Sequence, residues 1–217
     1  MATRILLVDD HVIVRQGLRA LFERETGLEV VAEAGDGYAA IDLAQKLKPE
    51  IAIVDIGMPK MNGIETTRHL RECVPALHIV GLSQHADRRF VAAMFQAGAR
   101  AYLLKTDAFA ELVFAVREVL AGHTYISPQL VGTIVEDYVQ LLSGTPSCEA
   151  TLLSPREREI LQLLVEGHSA EDIASQLFIS INTVSTHRRH IMEKLDIHTL
   201  PELTKYAIRE GLTFLDI

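Results

Sequence analysis

The chain has 217 residues, 48% of them hydrophobic, and a formal net charge of −8 from 21 Lys and Arg against 29 Asp and Glu. That length exceeds the usual single-domain size of roughly 100–150 residues, and the apolar share suffices for two cores. No stretch approaches the roughly 20 apolar residues of a membrane helix, and Arg4 and Asp9-Asp10 flank only the short apolar run Ile5–Val8, unlike a secretory signal. Two cysteines, Cys73 and Cys148, make no disulfide framework, and nine histidines lack paired zinc-ligand spacing. The expectation is a cytoplasmic, bacterial-type protein of two domains with no membrane contact.

Five short apolar runs come first: Ile5–Val8, Val30–Ala32, Ile51–Val54, Ile79–Leu82 and Ala101–Leu104. Helical patterns follow them around residues 12–25, 37–47, 63–73, 87–97 and 108–121, with Gly122 as a stop. This alternation predicts an α/β domain over residues 1–121, a doubly wound five-stranded parallel sheet. In such sheets ligands bind beyond the carboxyl ends of the strands, near the point where strand order reverses. Four of the runs deliver polar residues there: Asp9-Asp10, Asp55, Ser83 and Lys105.

Those side chains suit a magnesium ion and a transferable phosphoryl group. Two adjacent carboxylates facing a third repel one another; a hard divalent cation relieves the repulsion, and Mg2+ takes oxygen ligands while keeping some waters. A carboxylate also attacks phosphorus to form an acyl phosphate. Asp55, alone at a strand end before the loop Ile56-Gly57-Met58-Pro59, is the best nucleophile. Gly57 lets the backbone approach a metal or phosphate closely. Lys105 can neutralise one phosphoryl oxygen and the Ser83 hydroxyl can donate to another. No general base for an attacking water is evident, so a site that gains and holds a phosphoryl group is expected rather than an enzyme. Singly, each residue has a plainer reading: Asp9-Asp10 as helix caps near His11, Asp55 as a loop acid, Lys105 as a solvated charge. Their convergence at successive strand ends favours one shared site.

The segments ILLVDDH at 5–11, VDIGMPKMNG at 54–63, GLSQH at 81–85 and AYLLK at 101–105 resemble the receiver domain of two-component response regulators, over roughly residues 3–121. The resemblance implies that Asp55 accepts a phosphoryl group from the phosphohistidine of a sensor histidine kinase. It implies Mg2+ held by Asp9, Asp10, Asp55 and the Gly57 carbonyl. It assigns Ser83 and Tyr102 to a switch in which the hydroxyl moves toward the phosphoryl group and the ring turns inward; a core aromatic is the plainer reading of Tyr102. Thr106 follows Lys105 where relatives frequently carry proline. A cis bond there would cost about 2.5–4 kcal/mol, so that detail is not carried over.

Residues 122–150 read as a linker helix and hinge. Ser127-Pro128 is a helix start, and Leu130, Val131, Ile134, Tyr138, Leu141 and Leu142 form one apolar stripe. The stripe is read as an interdomain connector, the alternative being a helix packed on its own domain. Ser143-Gly144-Thr145-Pro146-Ser147 is the hinge.

Residues 151–217 are helical in pattern throughout. Ser154-Pro155-Arg156-Glu157 is a capping box, and Gly167 ends that helix. Ser169 opens a second helix, Ser180 a third and Thr199 a fourth that Gly211 closes. Helices two and three, joined by a tight turn, make a helix-turn-helix. On the third, Val184, Ile191 and Leu195 share the core stripe, so Asn182, Ser185, Thr186, Arg189 and Glu193 point away. The amino-terminal part of such a helix reaches base edges in the major groove. Arg189 suits guanine, Ser185 and Thr186 suit bases or phosphates, and His187, Arg188 and Lys194 flank them as phosphate contacts. A protein-binding module with a polar surface is the alternative.

Residues 152–212 resemble the LuxR-type output domain, and the whole architecture resembles the NarL/FixJ family of response regulators. The resemblance implies base contacts from Ser185, Thr186 and Arg189, although relatives often carry Lys where Ser185 stands. It makes the fourth helix, Leu200 to Glu210, a DNA-bound dimer interface, unless that helix only closes its own core. Residues 151–217 hold 7 Lys and Arg and 10 Asp and Glu, a charge of 7 − 10 = −3, where DNA-binding modules usually show a basic footprint. The expectation is therefore a phosphorylation-controlled DNA-binding homodimer on an inverted-repeat operator. The alternatives are a phospho-regulated adaptor that binds protein and an aspartyl-phosphate phosphotransferase. The phosphotransferase is disfavoured because Gly57, not a second acid, stands two residues after Asp55.

Overall fold

In the computed structural model, which describes residues 2–84, 86–142, 153–210 and 212–213, every one of the five apolar runs is a strand. They are β1 (Thr3–Val8), β2 (Leu28–Ala34), β3 (Ile51–Asp55), β4 (His78–Ser83) and β5 (Ala101–Leu104). The helices are α1 (Val12–Phe22), α2 (Gly37–Leu47), α3 (Gly63–Cys73), α4 (Arg88–Ala97) and α5 (Phe109–Leu120). A sixth strand, β6 (Tyr125–Ile126), extends the expected five; its two residues carry no periodicity to read. All pairings are parallel, in the order β2-β1-β3-β4-β5-β6.

The runs are apolar throughout because both sheet faces are covered. Ile5, Leu7, Ile51, Ile53, Val80, Leu82, Ala101 and Leu103 alternate onto one face and pack with Phe22 of α1 and with Leu112, Val113, Val116 and Val119 of α5. The Phe22 and Phe109 rings meet edge to face at 4.9 Å. α2, α3 and α4 adjoin one another in turn. Strand order reverses at β1, which has β2 on one side and β3 on the other. The register sets Val8 opposite Val54, Asp55 opposite Leu82 and Ser83 opposite Leu104. Residues 9, 55, 83 and 105 therefore leave the sheet at one edge, beside the switch point. The Lys105–Thr106 peptide is trans.

The chain divides into two compact units, residues 1–145 and 146–217. The first includes α6 (Pro128–Leu142), which contacts α4. Leu130 is buried, whereas Val131 and Tyr138 are exposed, so the single stripe read from sequence splits into two faces. The hinge at 143–147 and the closing Gly211 lie outside the described residues.

The second unit holds α7 (Pro155–Val165), α8 (Ala170–Gln176), α9 (Ile181–Leu195) and α10 (Leu200–Arg209). Ser154 and Glu157 close the expected capping box, Ser169 and Asp172 form another, and Ser180 and Thr199 cap α9 and α10. Ile160, Leu161, Ile173, Leu177, Val184, Ile191, Leu203 and Ala207 share the core, with Leu195 packed against it. No helix among the described residues is long and apolar enough to cross a membrane.

Candidate functional site

The β1–α1 turn fixes the acid pair. Asp9 is 2% exposed, and its Oδ1 accepts the His11 amide at 2.8 Å. The amino end of α1 takes no side-chain cap, which disposes of the capping alternative for Asp9-Asp10. Arg15, one turn into α1, donates to the Asp9 carbonyl oxygen and lies 3.6 Å from Glu33. His11 Nδ1 stands 2.9 Å from Asp10 Oδ1.

Asp55 ends β3 at 3% exposure, and its Oδ1 accepts the Gly57 amide at 3.4 Å. Lys105 Nζ lies 2.7 Å from Asp9 Oδ2 and 2.8 Å from Asp55 Oδ2, one ammonium bridging two strand ends. Burial pushes the Asp55 carboxyl up and Asp9 adds to it; Lys105 and the Gly57 amide offset only part of this. Burial opposes the Lys105 charge as well, but Asp55 and Asp9 outweigh it and raise its pKa. The Leu104 amide donates to Asp107 at 2.8 Å, which braces the loop carrying Lys105.

Ser83 and Tyr102 are also together. The Tyr102 ring is fully buried and its hydroxyl is hydrogen-bonded with Ser83. Burial first, then the Asp87 and Asp55 charges, lift the phenol well above its ordinary range. The ring lies inside, as the plainer reading of Tyr102 as a core aromatic has it.

Gly63 is a residue the sequence reading passed over. A Cβ there would lie 2.1 Å from the Asp55 carbonyl oxygen and 2.8 Å from Ile56 Cα, both backbone atoms. Only glycine lets α3 start this close behind the end of β3, with Asn62 capping the helix through the Glu65 amide. The signal available was the glycine after the Asn cap residue at the end of VDIGMPKMNG.

One ligand atom from each of Asp9, Asp10, His11 and Asp55 lies within 4.8 Å of the others, so the acid cluster can hold a metal ion. His11 was not among the predicted ligands, although it directly follows the acid pair. Three carboxylates against one ammonium leave a net negative, oxygen-rich pocket, which suits a hard divalent cation.

On α9 the polar row is exposed as expected: Asn182, Ser185, Thr186, Arg188 and Arg189 all face solvent, while Val184 and Ile191 are buried. Ser185, Arg188, Arg189, Met192, Glu193 and His198 line a shallow concavity of about 470 Å³. Thr186 Oγ1 donates back to the Asn182 carbonyl at 2.9 Å, and Arg189 is 3.8 Å from Glu193. Lys194, expected as a phosphate contact, has a partner within its own bundle. Its Nζ donates to both Glu157 carboxylate oxygens at 2.7 Å, so its charge is spent on α7 instead of standing ready for a phosphate. Burial raises the Glu157 carboxyl, but Lys194 and the Ser154 donors outweigh it and hold the pKa at about 2.

Residues 5–117 match the response regulator receiver domain, and residues 151–207 match the luxR family of bacterial regulatory proteins. The oxygen regulatory protein NreC of Staphylococcus epidermidis is 35% identical over 96% of this chain and 98% of its own. A LuxR-family response regulator from Aurantimonas sp. SI85-9A1 superposes with a TM-score of 0.62 at 42% identity, covering 64% of this chain and 99% of that one. RcsB from Salmonella enterica serovar Typhimurium, bound to promoter rprA with the phosphomimetic BeF3−, gives 0.62 at 27% identity over 95% of this chain and 98% of its own. Receiver motifs on a switch-point sheet, a LuxR-type helix-turn-helix behind them and relatives matched end to end place this chain in the NarL/FixJ family of two-component response regulators.

Proposed function

We propose that the protein is a phosphorylation-controlled transcription regulator in which Asp55 is the phosphoacceptor and α9 reads DNA. The observation that carries the reading is Lys105, held between Asp9 and Asp55 at 2.7 and 2.8 Å. A carboxylate oxygen of Asp55 attacks the phosphorus of a histidine kinase's phosphohistidine, the P–N bond breaks, and an acyl phosphate remains. Asp9, Asp10, Asp55 and the Gly57 carbonyl would hold Mg2+, which supplies charge neutralisation for the transferring oxygens. Lys105 exchanges a carboxylate oxygen for a phosphoryl oxygen, and Ser83 gives up Tyr102 to donate to another. The phosphoryl group brings roughly −1.5 to −2 charges and new acceptors, enough to bias a two-state element.

Domain roles follow the sequence boundaries: receiver 1–121, linker helix and hinge 122–150, output domain 151–217. RcsB is described as dimers bound to DNA, and a weakly basic α9 needs a second subunit for useful affinity. The operator is accordingly an inverted repeat with half-sites about one helical turn apart. Asn182, Ser185, Thr186 and Arg189 face the bases, and Arg188 faces phosphate. A gel-shift against random-sequence DNA, with and without acetyl phosphate and Mg2+, tests this. Enrichment of a symmetric site supports it; no shift under either condition leaves the protein-binding adaptor as the better account.

A further inference from the structure

α6 carries two apolar rows, and the first unit uses one. Leu130 is 2% exposed, on the helix that meets α4. Val131, Val135 and Tyr138 are 45%, 54% and 63% exposed. At roughly 100° per residue, Val135 lies about 140° round the axis from Leu130. The steps of four, then three, are those of alternating d and a positions in a two-stranded coiled coil.

We propose that the row Val131, Val135, Tyr138 is the seam of a parallel coiled coil with α6 of a second copy of this chain. This deepens, and rests on, the reading of the protein as a dimeric regulator. Charge points to an identical partner. α6 contains no Lys or Arg, and its acids, Glu136 and Asp137, fall at positions b and c, outside the seam. The flanking e and g positions, Gly132, Ile134, Val139 and Leu141, hold no charge that would select a different helix. Like helices therefore meet along this row without like charges opposed. The second unit offers no matching row: among its described residues the exposed large hydrophobics are Phe178, Ile181 and Leu200.

The seam is conditional by its length. Fifteen residues make about two heptads, and helices this short are marginal alone. It zips only when the receivers are also brought together. α6 is rooted on the switch: the Ser127 amide donates to the Tyr102 carbonyl at 3.0 Å, and Gln129 donates to Asp107 at 3.1 Å. A rearrangement at Ser83 and Lys105 thus reaches the helix through short connections.

The test uses the full chain with Cys73→Ser and Cys148→Ser, carrying either Val135→Cys or Glu136→Cys, oxidised with and without acetyl phosphate and Mg2+. Val135→Cys should form the interchain disulfide at least about tenfold faster than Glu136→Cys, and only with the phosphodonor. Val135→Glu, an exposed site, should abolish the phosphodonor-dependent dimer in sedimentation while intact mass shows normal labelling. Equal cross-linking at 135 and 136, or a dimer that survives Val135→Glu, overturns the seam and leaves the dimeric reading standing. A wild-type chain that stays monomeric when fully labelled overturns both. A Val135→Cys thiol shielded from alkylation in such a monomer shows the seam covered by its own chain, which also overturns it.

Discussion

Lys194 of α9 grips both carboxylate oxygens of Glu157 of α7 at 2.7 Å, tying α9 to the first helix of its own bundle. Glu157 is 4% exposed, so its charge needs that partner. Its folded pKa of about 2 lies below the ordinary 4.5. The pair's contribution is therefore complete above the ordinary carboxylate range and is lost as the pH falls toward 2. Lys194 is half-exposed, so the contribution is discounted to about 1–3 kcal/mol. Lys194→Met should speed hydrogen exchange of the α7 and α9 amides by about tenfold or more at pH 7. The difference from wild type should shrink as the pH drops below about 4. Equal protection at pH 7 would remove the structural role assigned to this pair.

With Lys194 engaged on Glu157, the exposed cations on the outer face of α9 are Arg188 and Arg189, the latter 3.8 Å from Glu193. Arg189→Ala should flatten sequence preference, removing about 1–3 kcal/mol of discrimination at one base pair. Arg188→Ala should weaken all sequences alike and reduce the salt slope of log affinity by about 0.9 per subunit. A salt titration of binding separates the two roles; identical profiles for both variants would contradict the assignment.

The fold was legible where local rules suffice. The strands were readable because parallel strands buried on both faces stay apolar, and their polar ends fell at 9–10, 55, 83 and 105. Ser154 with Glu157 was readable because a capping box spans only four residues. What needs tertiary placement was not. β6 is two residues rescued by pairing with β5. Glu157 finds Lys194 across 37 positions. Arg15 reaches back from α1 to the Asp9 carbonyl, and the α6 stripe divides only once α4 shows which side is covered. Gly63 reads like any glycine in the sequence, and only the fold brings the Asp55 carbonyl against it.

That contact makes Gly63→Ala a sharp probe. The added Cβ meets backbone atoms that cannot step aside, so the α3 start and the Asp55 strand end must separate. The expected cost is about 1–3 kcal/mol, with slower labelling by acetyl phosphate followed by intact mass. Wild-type stability together with a wild-type labelling rate would show that the close approach is dispensable.

Lys105 offers a metal-dependent test. Lys105→Met leaves Asp9 and Asp55 buried without their counter-charge, which should lower stability by about 1–3 kcal/mol in chelator. Because the pocket is then more negative, millimolar Mg2+ should raise the melting temperature more in the variant than in wild type. Equal Mg2+ shifts would argue against a shared cation site at these acids.

The claim that Asp55 governs DNA binding is tested most directly by fluorescence anisotropy on a site selected from random sequence. Wild type and Asp55→Asn are each titrated with and without acetyl phosphate and Mg2+. The phosphodonor should tighten wild-type binding by about 5–150-fold, the usual range of coupling between two sites. Asp55→Asn should bind with the unphosphorylated affinity under both conditions. Equal tightening in Asp55→Asn, or no tightening in fully labelled wild type, would contradict the account.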